Sequence, residues 1–417
     1  MKLAVSGFVS EQAGSVASAN ALLIRELLAR GHTIHFYSKP SFVDPRPAVG
    51  NLPGFRFFDV TNVGPDRLRQ RVSRIPLAGF LAGQLDASTY NSLLVREMTR
   101  NHAVERYDLC FWMGDYARGR TPGLPTVCFV QGAPGSDARS VLRQNAEIAT
   151  LAGSATALKW QIMAKIRLTP LGLPPFKNAD RLIVGSSQSK RTLISLYGIP
   201  AERVYSLPYP IDLKLFHLET SQPGADQSGG ANDEKAPSGL RSCWLGRIVP
   251  RKRLDLFLDG AALAIREGID LRLTIVGGIG FIPGYEKLIE AFPFPDRLTW
   301  KKSVSRQEVP ALLHAHDLLV QPSDEEDFGS SVAEAQACGL PVIVGRTNGN
   351  ADYLCSRDIH LKDDRPQTLC EAYREMNSRK AHGDWGDPAI SRQCAEQNFS
   401  LERVATSLID ILKASAS

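Results

Sequence analysis

The sequence lacks the features of a disulfide-stapled protein and of a membrane-spanning one. Its seven cysteines are an odd number, scattered from Cys110 to Cys394 without a C-x-x-C pair. This pattern argues against a disulfide framework and against a zinc site, and it suits a reducing cytoplasm. There is also no uninterrupted apolar run of about 18 residues, so we expect no membrane span.

The first thirty residues also lack the plan of a secretory signal peptide. Glu11 and Gln12 interrupt the first apolar run, and Arg25 and Glu26 follow. A signal peptide would instead carry an unbroken apolar segment of about 7–15 residues. We therefore expect a cytoplasmic protein.

The chain is too long for one ordinary hydrophobic core. Its 417 residues favour two domains of about 200 residues each. Short β-rich runs alternate with helical patterns in both halves, which indicates βαβ units and parallel sheets. We predict two Rossmann-like, doubly wound α/β domains that face each other across a cleft. In such sheets ligands bind at the carboxyl ends of the strands.

A polar stretch rich in Gly, Ser and Pro separates the two halves. We assign residues 1–215 to an N-terminal Rossmann-like domain, 216–239 to a polar linker and 240–398 to a C-terminal Rossmann-like domain. Residues 399–417 are expected to form an amphipathic helix that can pack on either domain, including a return to the N-terminal one.

Two cations follow a predicted strand in the second half. The segment LGRIVPRKR leaves the strand through Gly246 and places Arg247 and Lys252 at its carboxyl end. Two such cations can clamp a diphosphate, because Arg offers a planar fork of donors and Lys a compact charge. A solvated basic turn is the alternative, and it would be favoured if the cluster stood alone.

An acid-rich segment downstream combines carboxylates with a helix start. The segment is PSDEEDFGSSVAEAQACGLPVIV, residues 322–344. Its helix is expected to begin near Gly329 and to stop at Gly339. The first backbone amides of a helix are free donors, so they form an anion site. The amides in question belong to Phe328, Gly329, Ser330 and Ser331.

The carboxylates of this segment cannot hold a phosphate, but they can accept hydrogen bonds from the vicinal hydroxyls of a sugar or a ribose. Glu326 precedes the helix start, and Glu334 lies one turn into the helix on the same face. These two suit two sugar-binding roles, although acids at a helix start also serve simply to cap the dipole. We expect a solvated rim from the other acids, which are Asp324, Glu325 and Asp327.

Together with residues 179–216, ADRLIVGSSQSKRTLISLYGIPAERVYSLPYPIDLKLF, these segments resemble the family-4 retaining glycosyltransferases, which have the two-Rossmann GT-B fold. The resemblance covers nearly the whole chain and is strongest from residue 178 to 344. It implies that Glu326 faces the hydroxyls of the donor sugar and that Glu334 holds the ribose. It also implies that the helix-start amides lie near the diphosphate and the sugar.

The same resemblance assigns the cations and the loop that reads the base. Arg247 and Lys252 match the diphosphate clamp, which replaces the metal ion of other glycosyltransferases, so neither a metal nor another cofactor is expected. Val304, in KKSVSRQEV, matches the segment whose backbone reads the nucleotide base. The fit is poorer there, because the family usually has Gly in place of Lys302.

The first half departs more from the family. A Gly-rich loop usually follows the first strand, whereas EQAGSVAS keeps only Gly14, for a backbone approach to the phosphate or the acceptor. The family often carries a His after the strand matched by PTVCFVQG, and Gln131 stands there. Asp115, in WMGDYARG, is the alternative on the acceptor side, and an ordinary loop-capping role suits it equally.

The implied reaction is transfer of a hexosyl group from a nucleotide diphosphate sugar to a hydroxyl acceptor with retention of configuration, in polysaccharide or glycolipid synthesis. The N-terminal domain would bind the acceptor and the C-terminal domain the nucleotide sugar. A sugar-nucleotide epimerase of the same fold and a non-catalytic sugar-nucleotide-binding protein remain alternatives. A glycosidase that pairs Glu326 with Glu334 is disfavoured, because a hydrolase has no diphosphate to hold.

The charge of the two halves bears on the acceptor. Residues 1–215 contain 26 Lys and Arg against 15 Asp and Glu, whereas residues 216–417 contain 23 against 29. The segments from Leu68 and from Leu158 mix basic with apolar residues, a mixture that can lie at an anionic membrane surface. A lipid-linked acceptor at the inner membrane face is the resulting hypothesis, and helices that merely cover the core are the alternative. No basic–aromatic motif for nucleic acid is present.

Overall fold

The computed structural model divides the chain into two compact units. The first unit comprises Met1–Asn145, Ala155–Asp212 and Phe399–Ser417, and the second comprises Ala146–Ser154 and Leu213–Asn398. The residues that the structure describes are 1–11, 14–39, 43–60, 76–114, 117, 119–132, 134–169, 176–219 and 239–416.

Both units are built on parallel sheets. The strands of the first are β1 (Lys2–Gly7), β2 (Thr33–Ser38), β3 (Phe55–Asp59), β4 (Leu109–Met113), β5 (Thr126–Val130), β6 (Arg181–Val184) and β7 (Val204–Ser206). Those of the second are β8 (Leu240–Leu245), β9 (Leu271–Val276), β10 (Leu298–Lys301), β11 (Leu318–Gln321), β12 (Val342–Val344) and β13 (Ile359–His360).

The strand orders are those of doubly wound folds. The first sheet runs β3-β2-β1-β4-β5-β6-β7 and the second β10-β9-β8-β11-β12-β13, with every strand pairing parallel. The central strands are continuous apolar runs, as strands covered on both faces require. Strands β4, β5 and β11, for example, are buried along their whole length. The predicted fold class of two Rossmann-like sheets is confirmed.

Helices alternate with these strands. They are α1 (Gly14–Ala29), α2 (Arg46–Val49), α3 (Pro76–Glu105), α4 (Ser136–Arg143), α5 (Asn145–Ala152), α6 (Ser154–Arg167), α7 (Ser187–Tyr197), α8 (Leu254–Arg266), α9 (Glu286–Glu290), α10 (Val309–His314), α11 (Ser330–Ala337), α12 (Pro366–Ala381), α13 (Pro388–Phe399) and α14 (Leu401–Ala416). None of them is long and apolar enough to cross a lipid bilayer, as far as the described residues go.

The C-terminal helix α14 packs within the first unit. Arg30 Nη1 donates to Thr406 Oγ1 at 2.7 Å, and Arg181 Nη2 donates to the carbonyl of Ala414 at 2.6 Å. Its apolar stripe is buried, as an amphipathic helix on a sheet requires. The end of the chain thereby joins the unit that the beginning forms.

Helix α5 belongs in sequence to the first half but packs in the second unit. Lys287 Nζ donates to the carbonyl of Leu151 at 2.6 Å, and Ile148 is fully buried. Gly284 approaches the same carbonyl so closely that a Cβ there would lie 2.7 Å from its oxygen. Nothing in the composition of residues 146–154 marks this change of unit.

Three strands were not predicted from the sequence, and all lie toward the edges of their sheets. Strands β3 and β10 terminate their sheets on one side, and β13 terminates the second sheet on the other. They are short and only partly buried, so they lack the continuous apolar run that reveals a central strand. Most of the predicted linker, residues 220–238, lies outside the described residues, as do residues 61–75.

Candidate functional site

The two predicted motifs of the second unit meet where its sheet reverses direction. Strand β8 connects onward to β9 on one side, whereas β11 lies on the other side of β8. Ligands of doubly wound sheets bind at the carboxyl ends of the strands that flank such a reversal. The loop after β8 carries Lys252 and the loop after β11 carries Glu326, and their side chains are in contact.

Glu326 is held by two cations on one of its two oxygens. Its Oε2 lies 2.7 Å from Arg251 Nη1 and 2.6 Å from Lys252 Nζ. Burial by itself would raise the pKa of this carboxyl, but the two charges outweigh burial and lower the pKa to about 2. Oε1 accepts no hydrogen bond from any residue that the structure describes, so it is available to a ligand.

Lys252 is enclosed by the ends of the strands. Its carbonyl accepts from Trp244 Nε1 at 3.3 Å. With the amide of Gln321 oriented to satisfy both of its ends, Nε2 donates to Leu245 O at 3.1 Å and Oε1 accepts from Lys252 Nζ at 3.3 Å. Burial lowers the pKa of Lys252, and Glu326 opposes this most strongly. The surrounding groups therefore hold the Lys252 ammonium in one position.

Arg247 lies at the same end of the sheet with its side chain exposed. No ion pair involving it occurs among the described residues, and its charge contributes to lowering the pKa of Lys252. The two predicted cations are therefore together, one buried against Glu326 and one open to solvent. An anion at this end would meet both.

Arg251 is a member of the site that the sequence reasoning missed. It precedes Lys252 in the 3-10 turn Pro250–Lys252, and its guanidinium reaches Glu326. Its carbonyl also accepts the amide of Asp324 at 2.7 Å. The run RKR shows three adjacent cations, but a single sequence does not tell which of their side chains points into the site.

The helix start lies where it was predicted. Helix α11 begins at Ser330, and its N-cap Gly329 has φ 80° and offers no side-chain cap. A Cβ at Gly329 would lie 3.0 Å from both Asn348 Oδ1 and Asn350 Nδ2, so these side chains crowd the turn. Asn350 Nδ2 donates to the carbonyls of Gly329, at 2.7 Å, and of Phe328. The turn is thereby held with its first amides free of a side-chain cap.

The expectation of a solvated rim is wrong for two of its three acids. Asp324 is 6% exposed and Asp327 is 4% exposed, whereas Glu325 is half-buried. Asp324 Oδ1 accepts from Thr347 Oγ1 at 2.9 Å. Gly349 passes so close to the carbonyl of Asp327 that a Cβ would lie 2.0 Å from it. The reason for the error is the loop after β12, which packs over the acid cluster and excludes water from it.

Glu334 is held by one cation on one oxygen. Its Oε1 lies 3.0 Å from Arg306 Nη1, and the described residues give Oε2 no hydrogen bond. Burial raises the pKa of Glu334, and Arg306 opposes this without cancelling it. Arg306 is in turn placed with its guanidinium 5.1 Å from the ring centroid of Phe216, which is fully buried. Arg306 was not predicted, since no local pattern links it to a carboxyl 28 positions away.

Val304 lies in the short loop between β10 and the 3-10 turn Arg306–Glu308. It is half-buried. The turn is fixed by a capping box in which the backbone N–H of Ser305 donates to Glu308 Oε2 at 2.8 Å. The loop predicted to read a base is thus anchored immediately next to Arg306.

The candidates of the first unit have a different character. Gly14 is exposed at the start of α1 with φ 71°. Gln131 pairs with Asn20 through both ends of its amide: Nε2 donates to Asn20 Oδ1 at 2.7 Å, and Asn20 Nδ2 donates back to Oε1 at 2.8 Å. Asn20 is fully buried and was not predicted. Asp115 lies outside the described residues.

The second unit therefore joins groups that suit two chemistries. Lys252, Arg247 and the start of α11, which has no side-chain cap, favour an anion. Glu326 and Glu334 each present one open carboxylate oxygen that can accept hydroxyl groups. Among the described residues there is no cluster of three or more His, Cys, Asp or Glu that could hold a metal ion. All seven cysteines are free.

Part of the chain matches a known protein family. Residues 235–385 match the family described as glycosyl transferases group 1. A D-inositol 3-phosphate glycosyltransferase of Thermomonospora curvata is 31% identical over 185 residues, which are 41% of this chain and 42% of that protein. The chain thus spans about two fifths of the length of the curated relatives it matches.

Solved structures resemble the chain over its whole length at low identity. Alr3699/HepE of Anabaena, solved in complex with UDP and glucose, has a TM-score of 0.61 and 14% identity, with 99% of this chain and 100% of that chain covered. Sucrose-phosphate synthase from Thermosynechococcus elongatus has a TM-score of 0.65 and 17% identity, with 99% and 98% covered. At this identity the likeness concerns the fold. The chain therefore has the GT-B fold, and its residues 235–385 match the glycosyl transferases group 1 family.

Proposed function

We propose that the protein transfers a hexosyl group from a nucleotide diphosphate sugar to a hydroxyl acceptor with retention of anomeric configuration. The observation that carries the proposal is the pair of buried glutamates, Glu326 and Glu334. Each has one oxygen held by a cation and the other open, beside a clamp of Lys252 and Arg247. A polyhydroxylated ligand with a diphosphate in its middle satisfies all of these groups at once.

The chemistry follows from where negative charge develops. When the glycosidic bond to the diphosphate breaks, the leaving oxygen gains charge. Lys252, Arg247 and the backbone amides at the uncapped start of α11 are fixed donors that stabilise this charge more in the transition state than in the ground state. These fixed cations take the place that a metal ion has in other glycosyltransferases, and the proposal includes no metal and no other cofactor.

Glu326 serves in this proposal as an acceptor of donor-sugar hydroxyls and not as a nucleophile. A carboxylate neutralised by Arg251 and Lys252 on one oxygen is a weak nucleophile, but it remains a good hydrogen-bond acceptor on the other. Retention then arises by attack of the acceptor on the face that the diphosphate leaves. A donor phosphate oxygen takes the acceptor proton, so the mechanism requires no protein base.

Names of similar proteins support the substrate class. HepE was solved with UDP and glucose, and the curated relatives are glycosyltransferases that act on D-inositol 3-phosphate. Nucleotide sugars and a phosphorylated polyol are therefore the first substrates to test. In the first unit, Gly14 and Gln131 are the proposed contacts for the donor phosphate or the acceptor, with Asp115 as the alternative acceptor contact.

A membrane-bound acceptor is proposed on the strength of α6. This helix carries no Asp or Glu and has three exposed basic side chains, those of Lys159, Lys165 and Arg167. Leu158 and Ile162, four positions apart on one face, are 56% and 49% exposed. Such a face suits peripheral contact with anionic lipid at the inner membrane. Binding to phosphatidylglycerol vesicles that is lost in Leu158→Ser/Ile162→Ser would support it; no binding to any vesicle would end it.

The central proposal is tested with UDP-, GDP- and ADP-glucose. We expect one of them to bind tightly, to release its nucleoside diphosphate faster when D-inositol 3-phosphate or another hydroxyl acceptor is added, and to give a product of the donor's anomeric configuration by NMR. Glu326→Gln should abolish turnover. Conversion of the donor without acceptor would instead indicate an epimerase, and binding without either reaction a non-catalytic protein. Unchanged turnover in Glu326→Gln would refute the assignment of that residue.

A further inference from the structure

Arg306 occupies a distinctive position in the second unit. Its guanidinium contacts Glu334 on one side and faces the ring of Phe216 on the other. Its backbone lies in the 3-10 turn that the Ser305–Glu308 capping box fixes. Arginine side chains on a surface usually sample many rotamers, whereas this one is constrained at both its base and its tip. It is therefore suited to fixing the orientation of another group.

We propose that Arg306 is a positioning residue for the ribose of the nucleotide: it grips Glu334 Oε1 so that Oε2 is presented to the ribose hydroxyls. This inference rests on the proposed function, because it assumes that a nucleoside diphosphate binds beside Glu334. This role for Arg306 follows neither from the resemblance to the family nor from the assignment of Arg247 and Lys252 to the diphosphate. Arg306 would thereby connect the loop that contains Val304 with the Glu334 carboxylate on helix α11.

The physical reason is the burial of Glu334. A buried carboxylate that loses its only hydrogen-bonded cation takes up a proton, since desolvation penalises the charged form. The protonated group offers a donor where an acceptor is needed, and nothing then fixes the plane of the carboxyl. Arg306 therefore has two effects, which are to keep Glu334 ionised and to hold Oε2 outward.

The other charged or titratable groups that act on Glu334 cannot replace Arg306. Lys252 favours the ionised form of Glu334 only through its more distant charge, because its ammonium is bound to Glu326. Cys338, one turn along α11, has its pKa raised to about 12 by burial, with Glu334 adding to this. That thiol is neutral across the ordinary pH range and supplies no positive charge. Among the described residues, Arg306 is the one hydrogen-bonded partner of the Glu334 carboxylate.

The test measures how strongly the protein distinguishes ribose from deoxyribose. UDP, GDP and ADP are titrated by calorimetry into the full-length protein, and the tightest binder is then compared with its 2′-deoxy and 3′-deoxy counterparts between pH 6 and 9. In the wild type, loss of the recognised hydroxyl should weaken binding about tenfold, the size of one hydrogen bond to a charged group. The ratio of the two affinities cancels the titration of the diphosphate itself.

In Arg306→Gln the ratio should fall toward one at the acid end of this range, as Glu334 takes up a proton, and should recover in part as the pH rises and the carboxyl ionises. Arg306→Lys, which keeps the charge, should retain most of the discrimination. Glu334→Gln should lose it at every pH, and the double variant should lose no more than Glu334→Gln alone, since the two residues act as one unit. The matched control is Arg374→Gln, which breaks a surface ion pair with Glu267 in the same unit and should leave every ratio unchanged.

Two results would overturn the inference while the proposed function stands. One is an Arg306→Gln protein that distinguishes ribose from deoxyribose as well as the wild type does. The other is a loss of discrimination that a rise in pH does not restore even in part, which would mean that Arg306 acts only on the local fold. If the wild type bound none of the three nucleotides, the proposed function and this inference would fail together.

Discussion

Glu326 and Glu334 are the same residue type, eight positions apart and both buried, yet the protein treats them oppositely. Two cations on one oxygen bring the pKa of Glu326 down to about 2, whereas a single cation leaves the pKa of Glu334 raised. Burial acts in the same direction on both. The number of cations in contact therefore decides the direction of each pKa shift, and burial alone would predict the wrong direction for Glu326.

The two carboxylates also belong to different kinds of secondary structure. Glu326 lies in a loop between β11 and α11, whereas Glu334 lies within α11 itself. A loop must be braced from outside to hold a side chain in place, and the loop after β12 supplies that brace through Asn348 and Asn350. A helix needs no such brace. The position of the Glu326 side chain should therefore depend on the neighbouring loop after β12, whereas that of Glu334 should depend mainly on Arg306.

Among changes to the groups that surround the two glutamates, removal of Lys252 should have the largest effect. In Lys252→Met the buried charge that faces both Glu326 and the proposed diphosphate disappears, so we expect turnover to fall about 100- to 1,000-fold, the usual loss of one fixed donor at a developing charge. Steady-state kinetics measures it, with whichever of UDP-, GDP- and ADP-glucose proves to be the donor. Lys380→Met is the matched control, since Lys380 pairs with Asp317 at 2.7 Å at the other end of the strands. Equal losses in the two variants would show that the effect comes from general destabilisation.

Loss of the brace should come next. Asn350→Ala removes the donor to the carbonyls of Phe328 and Gly329, and we expect the free energy of unfolding of the second unit to fall by about 1–3 kcal/mol. Turnover should fall with it, whereas the preference for ribose over deoxyribose nucleotides, which depends on Glu334, should persist. Urea denaturation gives the first quantity. Asn398→Ala, which removes an amide bonded within its own helix to Cys394 O at 2.8 Å, is the comparison, and a cost as large as that of Asn350→Ala would contradict the special role of the brace.

The same contrast explains how much the sequence could predict. The central strands, the helix start at Gly329 and the closeness of Lys252 to Glu326 follow from local patterns plus the topology of doubly wound sheets. The burial of Asp324 and Asp327 does not, because it depends on a loop more than 15 residues further along the chain that returns over them. Acidic side chains are usually exposed, so the sequence favoured the wrong answer there.

The partners of the two carboxylates illustrate the same limit. Arg251 adjoins a predicted residue and could have been suspected, whereas Arg306 reaches Glu334 only because β10 and β11 place their loops at the same end of the sheet. The pair of Gln131 with Asn20 likewise joins residues 111 positions apart. Single-sequence patterns identify a charged or polar group, but the identity of its partner depends on tertiary structure.

A pH titration can distinguish the ionisation of Glu334 from that of Glu326. Because the pKa of Glu334 is raised and that of Glu326 is about 2, lowering the pH should protonate Glu334 first while Glu326 stays ionised. Binding of the preferred nucleotide sugar should then weaken about tenfold as the pH falls through the pKa of Glu334. A nucleotide sugar is the suitable ligand, because its doubly esterified diphosphate does not titrate in this range. Glu334→Gln should bind weakly at all pH values, and a surviving acid transition in that variant would assign the titration to another group.

The smallest effect is expected from Arg251, and it tests the count of cations directly. Arg251→Met leaves Lys252 Nζ at Glu326 Oε2, so the carboxylate keeps one cation, as Glu334 does, and its pKa should rise. We expect a loss of about fivefold in turnover at neutral pH, corresponding to about 1 kcal/mol, and a further loss as the pH falls through the raised pKa of Glu326. Arg306→Gln removes the hydrogen-bonded cation that the described residues give Glu334 and should shift the titration of Glu334 upward in the same way. If Arg251→Met instead lost as much activity as Lys252→Met, then Arg251 would be the cation that holds Glu326, and Lys252 would be free to serve the diphosphate alone.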